Sequence, residues 1–347
     1  MRLYIGGQNV SKLVNSAVAA GTRSGCSRTL TVNIAQSYSD SRIPSFDFAT
    51  GQSVSFSANG FEFFGVVGSV SVSTGSKTAT LKCYDFGLYL KRNVINRKIY
   101  DKTPKAAAKL LCSSFGIPTG YFAPTADFRF SRNFVNSTLY NAVMTGYALA
   151  AQKNKSKYQL VFDGDRLSVI KRGCLIAGMY EAKAKKNITL ASYSESIENA
   201  INRIDLYDDN GNIQERIFGD TSYGIMAKSV TMTEDHGIAY AQKLIRDNKK
   251  ARSAKLTILG KPDCVTGYSI LVAEPNTGLT GRFYIDADTH TWKNGTYITQ
   301  LTLNYDNIMD DFGVEEAINE SNNEKNRQLS GGRHFTYYGP NKQILVE

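Results

Sequence analysis

Between Asn59 and Phe86 the chain reads NGFEFFGVVGSVSVSTGSKTATLKCYDF, with apolar and polar residues alternating along nearly the whole stretch. Period-two alternation sends one set of side chains into a core and the other into water, so it predicts antiparallel strands buried on one face. The same pattern marks LTVNIA (Leu30 to Ala35), SVSFSA (Ser53 to Ala58), SVSVS (Ser69 to Ser73) and TATLKC (Thr78 to Cys83). Val70 and Val72 share a face, as do Ala79, Leu81 and Cys83, and Thr74 to Lys77 predicts the turn of a hairpin with Ser and Thr outside.

Around Asp101 the period changes. Thr103 followed by Pro104 is a helix start, and Ala107, Leu110, Leu111 and Phe115 recur at helical spacing up to Gly116. A second helix is predicted from near Ser137, with Leu139, Ala142, Val143 and Tyr147 on one side, followed by a hairpin from Tyr158 to Lys171 turning at Gly164-Asp165. Strands return from Asn187, where Asp209-Asn210-Gly211 is a turn between two alternating arms. TEDHGIAYAQKLIRD reads as one helix capped by Thr233, with Ile238, Ala241, Leu244 and Ile245 on its buried face. The predicted organisation is a β-domain over 1–98, an α+β insertion over 99–185, a second β-domain over 186–309 with one helix at about 234–247, and an extension over 310–347.

The two β-domains carry a repeat. GQSVSFSANGFEFFGVV…LKCYD and GYSILVAEPNTGLTGRF…LTLNYD both open on Gly-x-Ser, at Gly51 and Gly267, and both have a glycine fourteen residues on, at Gly65 and Gly281. Both close on Tyr-Asp, at Tyr84-Asp85 and Tyr305-Asp306. Two copies of one unit are expected, with Gly65 and Gly281 as bends that let each sheet curl toward a small antiparallel barrel.

Composition narrows the chemistry. Lys and Arg number 41 against 31 Asp and Glu, a net +10 that favours phosphates, acidic glycans or an acidic protein partner. The basic groups Lys153/Lys155/Lys157, Lys183/Lys185/Lys186 and Lys249/Lys250/Arg252 fall near predicted element ends and read as solvated loops and caps. Five scattered cysteines without a CxxC pair argue for synthesis in a reducing cytoplasm, and neither a signal-peptide core nor a bilayer-spanning apolar run is seen. GxSxG, HExxH, GxGxxG and GxxxxGK[ST] are all missing, so the chain reads as a non-enzyme without a cofactor.

One cluster has metal-ligand character. Asp286, Asp288 and His290 in YIDADTH recur at period two, placing two carboxylates and an imidazole on one strand face that could hold a divalent cation; the competing reading is a polar outer face. Asp205, Asp208, Asp209 and Asn210 lack the spacing of an EF-hand and read as hairpin-turn chemistry. The extension from Asp310 has too few apolar residues for a core and is expected to cross to a partner, with Tyr337-Tyr338 as an anchor.

The order of GQSVSFSANGFEFFGVVGSVSVSTGSKTATLKCYDFGLYLKRN, an insertion starting TPKAAAKLLCSSFGI, and a late GLTGRFYIDADTHTWKNGTYITQLTLNYD resembles the baseplate hub proteins of contractile phage tails. Those include the late control D type and the hubs of phage-tail-like bacteriocins, and they are similar to the N-terminal part of type VI secretion spike proteins. The resemblance spans roughly residues 1 to 308, and the extension departs from members that continue into a lysozyme or peptidase domain. It implies a homotrimer in a virion or tail-like particle whose two tube-like barrels per chain make a pseudo-six-fold ring. Its implied partners are the tail tube, spike, baseplate wedge and tape-measure proteins, with no membrane anchor and no specific nucleic acid. A nucleic-acid-binding module, suggested by the charge and twenty tyrosines, and a tail-associated cell-wall hydrolase are the alternatives.

Overall fold

Asn59 and Gly60 both take positive φ, 51° and 83°, and turn the chain in two residues so that the alternating segments on either side lie back to back. This hairpin belongs to the first part of the computed structural model, which describes residues 1–36, 42, 46–72, 77–176, 180–233, 236–310 and 312. That part comprises β1 (Arg2–Ile5), β2 (Gln8–Asn9), β3 (Val14–Thr22), β4 (Thr29–Ala35), β5 (Ser53–Ala58), β6 (Phe61–Val72) and β7 (Thr78–Tyr84). Leu30, Val32 and Ile34 of β4, Val54 and Phe56 of β5 and Phe61, Phe63 and Val67 of β6 form one buried cluster, the face that the alternation predicts. The turn expected at 74–77 lies outside the described residues except for Lys77.

The chain then leaves the sheet for a mixed insertion: α1 (Gly87–Arg92), β8 (Val94–Lys102), α2 (Pro104–Ser113), β9 (Thr119–Phe122), β10 (Phe130–Thr138), α3 (Leu139–Asn154), β11 (Tyr158–Asp163) and β12 (Arg166–Lys171). Thr103 caps α2 by accepting from the Ala106 amide at 3.2 Å, and Thr138 caps α3 by accepting from the Asn141 amide at 3.2 Å. Leu111, Leu139, Val143, Met144 and Tyr147 pack with the inner faces of β8, β10 and β12 into a separate core.

The second β-part holds β13 (Glu181–Lys183), β14 (Ile188–Ser196), β15 (Arg203–Tyr207), β16 (Ile213–Phe218), β17 (Ala227–Thr231), α4 (Ile238–Asp247), β18 (Ala251–Leu259), β19 (Ser269–Glu274), β20 (Leu279–Lys293) and β21 (Thr296–Asn304). β15, β16 and β17 make a three-stranded sheet on which α4 sets Ala241, Leu244 and Ile245 against Ile204 and Leu206. The helix begins later than its sequence pattern predicts. Gly237 is its N-cap, whereas Thr233 accepts from the His236 amide in a preceding turn, and Ile238, expected inside, is exposed.

The remaining strands form one sheet in the order β14-β18-β21-β20-β3-β4-β7-β6-β5-β1-β2, with β19 pairing β20 and β13 pairing β19. Within it one order occurs twice: β3-β4-β7-β6-β5 in the first half and β14-β18-β21-β20-β19 in the second. The halves meet where the long β20 pairs β3, Ala287 opposite Thr22 through Lys293 opposite Ser16. The sheet also curls. Phe56 of β5 and Trp292 of β20 have four strands between them, yet their ring centroids are 5.1 Å apart. The described strands do not close a barrel: β5 and β20 touch through side chains with no ladder between them. Two separate closed barrels are thus replaced by two curled halves of one open sheet, because β20 outruns its own half and gives its far end to the other. Among the described residues no helix is long and apolar enough to cross a membrane.

Candidate functional site

The repeat is visible bond by bond. In the first half the Gly51 amide donates to the Val67 carbonyl (2.8 Å) and the Val67 amide to the Gln52 carbonyl (2.9 Å). In the second the Gly267 amide donates to the Ile285 carbonyl (3.3 Å) and the Ile285 amide to the Tyr268 carbonyl (2.9 Å). Val66 lies opposite both Ser53 and Tyr84, the point where β6 changes partner from β5 to β7; Tyr284 lies opposite both Ser269 and Asn304, where β20 changes from β19 to β21. Directly beyond, each long strand carries a bulge, between Val67 and Ser69 in β6 and between Ile285 and Ala287 in β20.

This register corrects the pairing of glycines read from sequence. The turn between β5 and β6 has two residues and that between β19 and β20 has four, so beyond the turn the second copy runs two residues late. Gly65 and Gly281 are therefore not counterparts. The counterparts are Gly51 (φ 86°) and Gly267 (φ 102°), which open each repeat in a backbone conformation that suits glycine. Gly65 and Gly281 also differ physically: a Cβ on Gly65 would overlap the Tyr84 carbonyl, whereas Gly281 has open space but φ of 121°.

The three residues of YIDADTH are split by the bulge. Phe283 and Ile285 face the core before it, and Asp288, His290 and Trp292 after it, so Asp286 leaves the face the other two share. Asp288 is fully buried, accepts from both terminal nitrogens of Arg28, and accepts from the Thr266 amide (2.7 Å) and hydroxyl (2.6 Å). His290 Nε2 lies 3.3 Å from the Asp288 carboxylate, and its Nδ1 is 2.8 Å from the Tyr297 hydroxyl. Burial works to raise the Asp288 carboxyl, but the Arg28 charge and the His290 and Arg28 contacts outweigh it and hold it well below the usual carboxylate range. Asp85 accepts from the amides of Arg28 (2.9 Å) and Gly87 (2.9 Å), and there burial prevails and raises the carboxyl.

Asp286 serves a second network. It pairs with Arg172 beyond β12, accepts from Asn304 of β21 (2.9 Å) and lies 3.6 Å from Arg23 Nε beyond β3. Arg23 also pairs with Asp310, Arg172 donates to Gln159 (3.1 Å), and the Met309 and Phe312 side chains pack on the insertion core. First half, insertion and second half are thus tied at one carboxylate, and the outgoing chain joins them through Arg23. Among the described residues no group of three or more His, Cys, Asp or Glu is arranged to hold a metal ion. The two carboxylates are turned toward arginines, and their work is to hold modules together.

Sequence reasoning missed these arginines, since no local pattern joins Arg23, Arg28 or Arg172 to β20. Lys249, Lys250 and Arg252, read as solvated, are paired with Asp306 (3.2 Å) and Glu195 (2.9 and 3.6 Å). Asp208 accepts from the Asn210 and Asn212 amides at 3.0 and 2.8 Å, as a hairpin-turn carboxylate does. All five cysteines are free, Cys174 alone exposed, and burial pushes the Cys83, Cys112 and Cys264 thiols up to about 12. His334 and Tyr337-Tyr338 lie outside the described residues.

A family model described as YQBQ-like matches residues 19–304. The chain belongs to the YQBQ-like family. The PBSX phage-like element protein XkdQ of Bacillus subtilis is 22% identical over 277 residues, covering 76% of this chain and 84% of XkdQ. The uncharacterized YqbQ of the same organism is 24% identical over 271 residues, covering 74% and 82%. Among solved structures, the 43 kDa tail protein of prophage MuSo2 from Shewanella oneidensis aligns with TM-score 0.67 at 13% identity, over 87% of this chain and 97% of that one. A tail protein from Neisseria meningitidis aligns with TM-score 0.62 at 14% identity, over 90% and 98%. A type VI secretion component from E. coli, described as similar to the T4 tail proteins gp27 and gp5, aligns with TM-score 0.53 at 10% identity, over 87% and 76%. The fold of this YQBQ-like chain is that of phage tail proteins, in line with the resemblance read from its sequence.

Proposed function

We propose that the chain is a structural protein of a phage-type tail, and within it the baseplate hub that joins the tail tube to the central spike. The observation that carries this reading is the five-strand order that occurs twice in one chain, each copy curled about its own core. A tube built from six-fold rings and a three-fold spike need an adaptor with six similar surfaces on one side and three on the other. Three copies of a chain with two equivalent half-sheets meet that need, while the insertion and the extension remain three-fold.

The non-core face of the sheet suits a channel wall. It carries Thr29, Thr31 and Asn33 of β4, Ser69 and Ser71 of β6, Thr80 of β7 and Thr289 and Thr291 of β20. Several are bonded sideways, Asn33 to Ser16 (3.0 Å) and Thr80 to Asn33 (2.7 Å), and Lys82, opposite Thr31 and Ser69, adds a positive charge to this polar face. The units are a first β-domain over 1–98, an insertion over 99–185, a second β-domain over 186–309 and an extension from 310 that reaches the spike or a neighbouring subunit. The partners are a homotrimer's other chains and the tube, spike, wedge and tape-measure proteins. Cryo-microscopy of the particle, or of the chain assembled with its spike, tests the reading. Three copies with both half-sheets at one height around the axis are expected; six copies, or half-sheets stacked along the axis, would overturn it.

A further inference from the structure

Within the five-strand order that occurs twice every joint has its counterpart, whereas the joint between the two halves is made once. The far half of β20, beyond its bulge, pairs with β3. The counterpart of β20 is β6 and the counterpart of β3 is β14, and among the described residues the far half of β6 pairs only with β7 and β14 pairs only with β18. The two free edges are thus the two sides of a joint that the chain makes once within itself and leaves open at its ends.

We propose that β6 of one chain pairs with β14 of a second copy, antiparallel, in the register that β20 and β3 use. The repeat specifies that register. Ladders through β7 and β21 equate Cys83 with Leu303 and Leu30 with Ala254; ladders through β4 and β18 then equate Ala19 with Tyr193. Val66 matches Tyr284, so Val72 matches His290. Because His290 lies opposite Ala19, Val72 will lie opposite Tyr193 of the second copy, with Ser71 opposite its Ser194 and Val70 opposite its Glu195.

Burial supports the assignment. Asp288 and His290 are fully buried in the joint the chain makes, while their counterparts Val70 and Val72 are apolar and only part-covered, Val72 being 43% exposed. Tyr193, which it would meet, is 37% exposed on an edge strand whose last five residues are all exposed. An unpaired edge with apolar side chains invites strand addition. The contact is head-to-tail, β6 giving and β14 receiving, so it repeats around an axis until a ring closes.

The inference rests on the hub reading for the ring, and its test separates the two. Val72→Cys with Tyr193→Cys is placed in a Cys174→Ser background, assembled into the particle and oxidised. Covalent dimers and closed trimers on a non-reducing gel are expected, with none from either single-cysteine variant and none from Val72→Cys with Ser194→Cys, whose second thiol faces the opposite side. A second pair reads the same contact without oxidation: Val72→Asp with Tyr193→Asp should block incorporation, and Val72→Asp with Tyr193→Lys should restore it. Three copies per particle without the 72–193 cross-link and without charge-swap rescue overturn the pairing and leave the hub standing. A copy number other than three, with the cross-link formed, overturns the hub stoichiometry and leaves the pairing.

Discussion

At the scale of single residues, β20 shows how one inserted residue decides chemistry. The bulge at Asp286 turns two carboxylates that period two would place together onto different networks, Asp288 to Arg28 and Asp286 to Arg172 and Arg23. Removing Arg28 leaves Asp288 buried without its cation, so Arg28→Ala should destabilise by about 3–5 kcal/mol in denaturant titration, and Asp288→Asn by less. The Asp288 carboxyl is held below its unfolded value of about 3.9, so its contribution is complete above that pH and is lost as pH falls toward the folded value. Asp288→Asn should therefore lose stability less steeply below about pH 4 than the parent chain in a pH series of melts. Gly65→Val and Gly281→Val should each cost on the order of 1–3 kcal/mol, for different reasons: overlap with the Tyr84 backbone in one, strain at positive φ in the other. Melting temperatures unchanged from the parent would show that neither constraint holds.

At the scale of elements, turn length explains why the repeat is out of step with its own glycines. Replacing the four-residue turn at 275–278 by Asn-Gly would bring the second copy into the spacing of the first. The ladder between β19 and β20 runs to the end of both strands, Glu274 opposite Leu279, so a two-residue turn can close it without moving the register. The variant should fold in the same register but lose the Asn276 and Thr277 donors of the buried Glu274 carboxylate, at a cost of about 1–3 kcal/mol; an unchanged melting temperature would show that those bonds add nothing. Deleting residues 311–347 should leave a folded chain, since the described cores are built almost wholly before that point, and should release the spike in a pull-down. A truncated chain that fails to fold would place the segment in a core.

At the scale of the whole molecule, the described sheet has 13 strands, and the proposed contact joins β14, at one end of their order, to the far half of β6, which lies beyond the β5 ladder. Such edges are either covered by copies of the chain or left exposed, with the aggregation hazard that free edges bring. Purified at low concentration, the chain should sediment as a monomer and should associate when β6 and β14 are left unblocked at high concentration. Association unchanged by Val72→Asp with Tyr193→Asp would locate the contact elsewhere.

Strand identity, the helix starts at Thr103 and Thr138, the mixed insertion and the existence of a repeat were all legible in the chain, because alternation, caps and turn residues act over a few neighbours. So was the likeness to phage tail proteins, since it lies in the order of such segments. So were the repeat's opening glycines, Gly51 and Gly267, because each is the first residue of a Gly-x-Ser segment. What only the tertiary structure decided is register and partnership: that β20 continues into β3, that a bulge parts Asp286 from Asp288, that Arg28 waits 260 residues away for its carboxylate, and that the halves curl without closing. Those outcomes depend on which distant backbones meet and with how many residues in each turn, and no short-range pattern carries that distance.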